Sequence, residues 1–138
     1  MKTLITSILL FLIIIGCQNP TSTENSSNQI IFKTDKTSYS KTDSITVYIE
    51  NNTNSPFKIF LRCGSYLEMY YQKKENNSWS KNLWFPWMRL YCPSLLDTIK
   101  EHNNYKFIFL SDLIDSSGTY RLILSIDTLI VSNSFDIK

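Results

Sequence analysis

An all-β sandwich or barrel is the fold class this sequence predicts, and three observations carry it. From Gln29 onward, short runs rich in β-branched and aromatic residues alternate with polar turn clusters about every 8–12 residues. The chain has no alanine, the best helix former, but eight tyrosines and eight phenylalanines, residue types that favour strands. No window sustains the 3.6-residue apolar period of an amphipathic helix.

The elements follow in order. Ile30-Ile31-Phe32-Lys33-Thr34 is a first strand, with a polar turn over 35–38 before Tyr39. Ser44-Ile45-Thr46-Val47-Tyr48-Ile49-Glu50 alternates strictly, which places Ile45, Val47 and Ile49 on one face. Asn51-Asn52-Thr53-Asn54-Ser55-Pro56 is a turn by composition. The strand over 57–63 again alternates, with Phe57, Ile59, Leu61 and Cys63 in register. A strand over 67–73 and a second from Trp79 flank Glu75-Asn76-Asn77-Ser78, the signal of a hairpin. Residues 105–110, 120–127 and 130–137 complete the series, and no internal repeat of 20–50 residues interrupts it.

Two patterns narrow the class. In Asp115-Ser116-Ser117-Gly118-Thr119-Tyr120-Arg121-Leu122, a turn feeds a strand with Gly two residues before Tyr. This resembles the tyrosine corner of immunoglobulin-like sandwiches, with Ser116 where an Asp is usual and Leu122 where antibody domains carry Cys. The order of pieces also counts: Ile49-Glu50-Asn51, Asn54-Ser55-Pro56, a Trp-containing hairpin, a Cys, the Gly-Thr-Tyr-Arg strand, and Ser132-Asn133-Ser134-Phe135-Asp136-Ile137. That order is similar to the small immunoglobulin-like domains of bacterial lipoproteins. The resemblance spans residues 29–138 and implies an immunoglobulin-like antiparallel β-sandwich.

Ahead of this domain, Lys2 precedes an apolar run over 4–16 that stops at Cys17. Thirteen residues match a secretory h-region and fall short of the roughly 20 a spanning helix needs. Ile14-Ile15-Gly16-Cys17 resembles a bacterial lipobox. The resemblance implies a signal peptide over 1–16, cleavage after Gly16, and lipidation of Cys17 with three acyl chains. Residues 18–28, Gln-Asn-Pro-Thr-Ser-Thr-Glu-Asn-Ser-Ser-Asn, hold nothing to bury and read as a flexible tether. The expected partner of this end is a membrane, reached through the lipid anchor at Cys17 without spanning. With no acidic cluster after Cys17, the expected address is a bacterial cell envelope, at the outer membrane facing the periplasm.

Composition excludes several function classes. Fourteen basic residues less Lys2 leave thirteen against twelve acidic ones, so no basic surplus points to nucleic acid. Setting Cys17 aside, Cys63 and Cys92 form an even pair, which in an exported domain predicts a disulfide. His102, the single histidine, sits in the polar connection Lys100-Glu101-His102-Asn103-Asn104 and reads as solvated. With one His and no Cys-x-x-Cys, a zinc site lacks its three or four ligands. There is no Gly-x-Ser-x-Gly, P-loop or dinucleotide fingerprint, and Asp112 and Asp115 read as turn residues ahead of Gly118. No cofactor is expected, and an enzyme is not expected either. A weaker pattern repeats three times, Asp43-Ser44-Ile45, Asp97-Thr98-Ile99 and Asp127-Thr128-Leu129, similar to the O-glycosylation triplet of Bacteroidota-type bacteria.

The stretch over 79–92 concentrates the contact-forming residue types. It holds all three tryptophans, Trp79, Trp84 and Trp87, together with Phe85, Arg89 and Tyr91. Consecutive aromatics at 84–87 face both sides of the chain, and Pro86 excludes a central strand position. Trp, Tyr and Arg dominate binding hot spots, so these six residues are the candidate contact surface for a protein or glycan partner. The other reading is a satellite core, the loop folded back and pinned through Cys92. A non-catalytic binding or structural module is the leading expectation. A proteinase-inhibitor-like module, with 84–89 entering a protease cleft, is the alternative. On the contact reading, Trp84→Ala combined with Trp87→Ala abolishes binding without unfolding the domain.

Overall fold

Alternation in strand β3 (Ser44–Asn51) buries Ile45, Val47 and Ile49 on one face and leaves Thr46, Tyr48 and Glu50 on the other. The computed structural model describes residues 29–138; the expected signal peptide, Cys17 and tether lie outside the described residues. Strand β1 (Ile30–Thr34) and strand β10 (Asn103–Leu110) flank β3 on either side, both antiparallel to it. The facing layer is built on β11 (Gly118–Ser125), in the order β2 (Ser38–Tyr39), β13 (Phe135–Ile137), β11, β6 (Tyr70–Glu75), β7 (Ser78–Trp79). Strand β12 (Leu129–Val131) adds to β11, and β8 (Leu83–Trp84) adds to β6. Phe32, Val47, Ile49, Phe107 and Phe109 from one layer meet Tyr71, Tyr120, Leu122, Phe135 and Ile137 from the other in one hydrophobic core. The fold is an immunoglobulin-like antiparallel β-sandwich.

The N-terminal stretch changes layers between β1 and β2, and Asp35 clasps the crossing. One oxygen of its carboxylate accepts from the Tyr39 hydroxyl (2.7 Å) and from the Thr46 amide (2.9 Å), while its own amide donates to Thr46 O. Tyr39 in turn accepts the Lys36 amide and packs edge-on against Phe135. Strand β2 then runs parallel to β13, the one parallel pairing among the described strands.

The third sheet continues the first around a bend. β4 (Phe57–Arg62) pairs with β9 (Ser94–Ile99) and with β5 (Tyr66–Leu67). The β3–β10 ladder ends at Asn51↔Asn103 and the β4–β9 ladder starts at Phe57↔Ile99, so residues 52–56 oppose only 100–102. Backbone groups at such a mismatch lose ladder partners, and Asn51 replaces them. Its fully buried amide nitrogen donates to the carbonyls of Ser55, Ile99 and Lys100, and its oxygen accepts from the Thr53 amide and hydroxyl.

Several expected strands divide. The stretch over 67–73 breaks into β5 and β6, and the stretch over 130–137 into β12 and β13, where Ser132 and Asn133 turn inward to bond Leu122 N and Thr34. Strand β9 has no counterpart in the sequence reading, since Leu95 and Leu96 are adjacent and both exposed. The expected hairpin is present: Asn76 and Asn77 take φ of 45° and 64° between β6 and β7, as a primed turn requires.

Candidate functional site: the aromatic loop and its cleft

The loop from β7 to β9 divides its aromatic residues between interior and surface. After β8, Pro86 opens a 3-10 turn, Pro86–Arg89, where its missing amide hydrogen costs nothing. The turn drives Phe85, Trp87 and Met88 inward. Phe85 and Trp87 stack at 4.3 Å and 5° from parallel, and both press edge-on against Phe109 of β10. The Trp87 indole nitrogen donates to Leu67 O at 2.9 Å, which satisfies its polar edge inside the core. Phe85 and Trp87 therefore leave the expected contact set. They plug the opening between β6 and β10, and both readings of the loop apply, each to different side chains.

Trp79 leaves the contact set in part. Its ring is half-buried and covered by the Arg121 guanidinium at 4.2 Å, which Gln72 orients through a 2.8 Å bond to Arg121 Nε. Trp84, Arg89 and Tyr91 remain outside. Trp84 is 51% exposed and meets Tyr70 edge-to-face at 5.4 Å, and Tyr91 projects wholly into solvent.

The C-terminal end of the loop is tied down. Cys63 and Cys92 form the expected disulfide, with Cα atoms 5.2 Å apart. Cys63 takes a positive φ of 56° and ends β4 one residue before the expected boundary, and its amide donates to Pro93 O. Arg62 donates from Nη1 to Cys92 O, and its Nε lies 3.1 Å from Glu68 Oε1, an ion pair without hydrogen-bond alignment. Ser94 Oγ donates to the same carboxylate oxygen.

Folding the loop inward creates a cleft of about 310 Å³ beside it, lined by Tyr71, Leu83, Trp84, Pro86, Arg89, Leu113 and Asp115. Tyr71 comes from β6, while Leu113 and Asp115 come from the connection between β10 and β11. Tyr71 is 9% exposed, and its hydroxyl has no hydrogen-bond partner among the described residues. Burial first, then the charge of Asp115 and the nearby Tyr120, push its pKa above the ordinary tyrosine value, with Arg89 opposing. The hydroxyl is thus a neutral donor and acceptor at the cleft wall. Arg89 and Asp115 make no ion pair with each other, so a cation and an anion both face the space unengaged.

Tyr71 and Leu113 are lining residues the sequence does not mark, and Asp115 lies in the connection ahead of Gly118, as expected, while also facing the cleft. No local signal marks them, because three separate segments meet only in the folded chain. His102 is an exposed loop residue at φ 53° whose Nε2 lies 3.1 Å from Asn54 Oδ1, away from the cleft lining. Among the described residues, no three His, Cys, Asp or Glu side chains group as metal ligands. The hydroxyl-bearing Ser44, Thr98 and Thr128 of the three repeated triplets are all exposed.

No family model matches this chain, and no curated protein does. Among solved structures it is similar to crystal structures of beta-glucosidase from Listeria innocua. One is in complex with gluconolactone (11% identity, TM-score 0.43) and one with glucose (9% identity, TM-score 0.40). Each match covers 79% of this chain and 16% of the enzyme, so the chain spans a small part of those enzymes' length. At these scores the likeness carries no argument about ligand or activity.

Proposed function

We propose that this chain is a lipid-anchored, non-catalytic binding module of a bacterial cell envelope, held at Cys17 and presenting the rim of its aromatic loop to a partner. The observation that carries this reading is the division of the loop. Phe85 and Trp87 are stacked in the core, so Trp84, Arg89 and Tyr91 stand at the surface of a segment anchored by buried rings. Anchoring the backbone of a contact segment lowers the conformational entropy it loses on binding.

The proteinase-inhibitor reading loses its first candidate segment. Within 84–89, residues 86–89 form a 3-10 turn and Phe85, Trp87 and Met88 are buried, so the segment cannot lie extended in a protease cleft. What favours that reading now is Tyr91, fully exposed beside a disulfide-bonded cysteine. Assays of the chain against a panel of serine and cysteine proteases test it, and no inhibition at micromolar concentration removes it.

A photoreactive residue at 91 tests the main reading in native cells. A discrete adduct from 91, absent when the same residue is placed at exposed Leu129, is expected. Equal yield from both positions would remove the loop as the contact surface.

A further inference from the structure

We infer that the cleft beside the aromatic loop is a binding subsite for one ring of a neutral glycan, with Trp84 as its platform and Tyr71, Asp115 and Arg89 as its hydrogen-bonding set. The inference rests on the reading of the loop as contact surface and adds the chemical class of its ligand. Tyr71 is its anchor: the ring is nine-tenths buried, yet the hydroxyl opens into the cleft without a partner among the described residues. The hydroxyl oxygen is reached by solvent through the cleft rather than sealed inside, so a ligand hydroxyl can take the place of its water there.

The charges choose the class. An anionic ligand would meet Asp115 and a cationic one Arg89, whereas a neutral polyhydroxyl ligand uses both. A carboxylate only accepts and a guanidinium only donates, while a tyrosine hydroxyl does either, which together suit adjacent sugar hydroxyls. The half-exposed Trp84 ring, with Pro86 and Leu83 beside it, supplies the apolar face on which the C–H side of a pyranose rests. At about 310 Å³ the space stands at the lower end of ligand pockets, room for a ring rather than a long buried chain.

The test uses the full chain in a zwitterionic detergent, titrated by tryptophan fluorescence and calorimetry with chitohexaose, cellohexaose, maltohexaose and mannohexaose. At least one is expected to bind, and Asp115→Asn and Trp84→Ala each to weaken it about tenfold or more. Tyr71→Phe, which keeps the buried ring, is expected to weaken it severalfold, and exposed Ile108→Ala to leave it unchanged. Absence of binding to all four, or binding indifferent to both Asp115→Asn and Tyr71→Phe, overturns the inference. A protein adduct at position 91 with no saccharide binding overturns the glycan class alone and leaves the contact surface standing. Silence in both experiments overturns the two together.

Discussion

Tyr120 shows how much of this fold rests on single polar contacts. Its hydroxyl donates to Ser116 O at 2.7 Å and lies 2.9 Å from Ser116 Oγ, closing the corner that the Gly-Thr-Tyr pattern announces. Gly118 sits between them at φ 150°, a conformation side-chain-bearing residues rarely adopt. Tyr120→Phe keeps the packing against Phe135 and removes the bonds, so a loss of about 1 kcal/mol in urea unfolding is expected. Tyr39 gives a pH signature. Burial, followed by its bond to the Asp35 carboxylate, pushes its pKa up to about 12. A group raised in the folded state contributes stability that is complete below its unfolded value near 10 and is lost as pH climbs through the folded value. Stability is therefore expected to fall between pH 10 and 12, with Tyr39→Phe flattening that fall. Ultraviolet titration should find tyrosines that ionise late, because burial also raises Tyr71 and Tyr105.

At the scale of elements, strands buried on one face were legible and those shaped by long-range contacts were not. Strands β1, β3 and β10 follow from alternation, because one face of each meets the core and the other meets water. Strand β9 escapes that logic: five of its six residues are exposed, and its pairing with β4 sets it in place rather than any face of its own. The aromatic loop could not be divided in advance, since consecutive rings at 84–87 fit either side until Pro86 opens a turn. Two stability measurements separate its parts. Trp87→Ala removes a buried ring and its bond to Leu67, at an expected cost of about 3–5 kcal/mol. Trp84→Ala should stay within about 0.5 kcal/mol of the parent, as surface changes do. The double variant, which the contact reading expects to spare the fold, is instead expected to lose stability through Trp87, as the core reading of the loop requires. The Cys63–Cys92 bridge closes a separation of 29 residues at the tip of the β4–β9 ribbon. Its reduction is expected to cost about 3–4 kcal/mol on chain-entropy grounds, read as a lower urea midpoint in dithiothreitol.

For the whole molecule, the proposed attachment of this domain to a membrane can be tested separately from the stability of the domain itself. Cys63 and Cys92 bridge each other, so the remaining Cys17 is free for another chemistry, and the Gln29 carbonyl accepts the Asn52 amide where the chain joins the sandwich. With thirteen basic against twelve acidic residues after Lys2, electrostatic adhesion to an anionic leaflet has little to draw on. Two means of attachment therefore predict opposite behaviour. Charge-held protein leaves membranes in 1 M salt, where screening acts within about 3 Å. Acyl-held protein stays, because each buried methylene contributes about 0.8 kcal/mol that salt does not weaken. Wild-type chain is expected to resist the salt wash, enter the detergent phase on phase separation, and carry lipid mass. Cys17→Ser should accumulate as unlipidated precursor of unchanged urea midpoint, its bridge intact and no thiol titratable after unfolding without reductant. Release of wild-type protein by salt, or a mature form without lipid mass, would end the anchor proposal and leave the sandwich and its cleft as they stand.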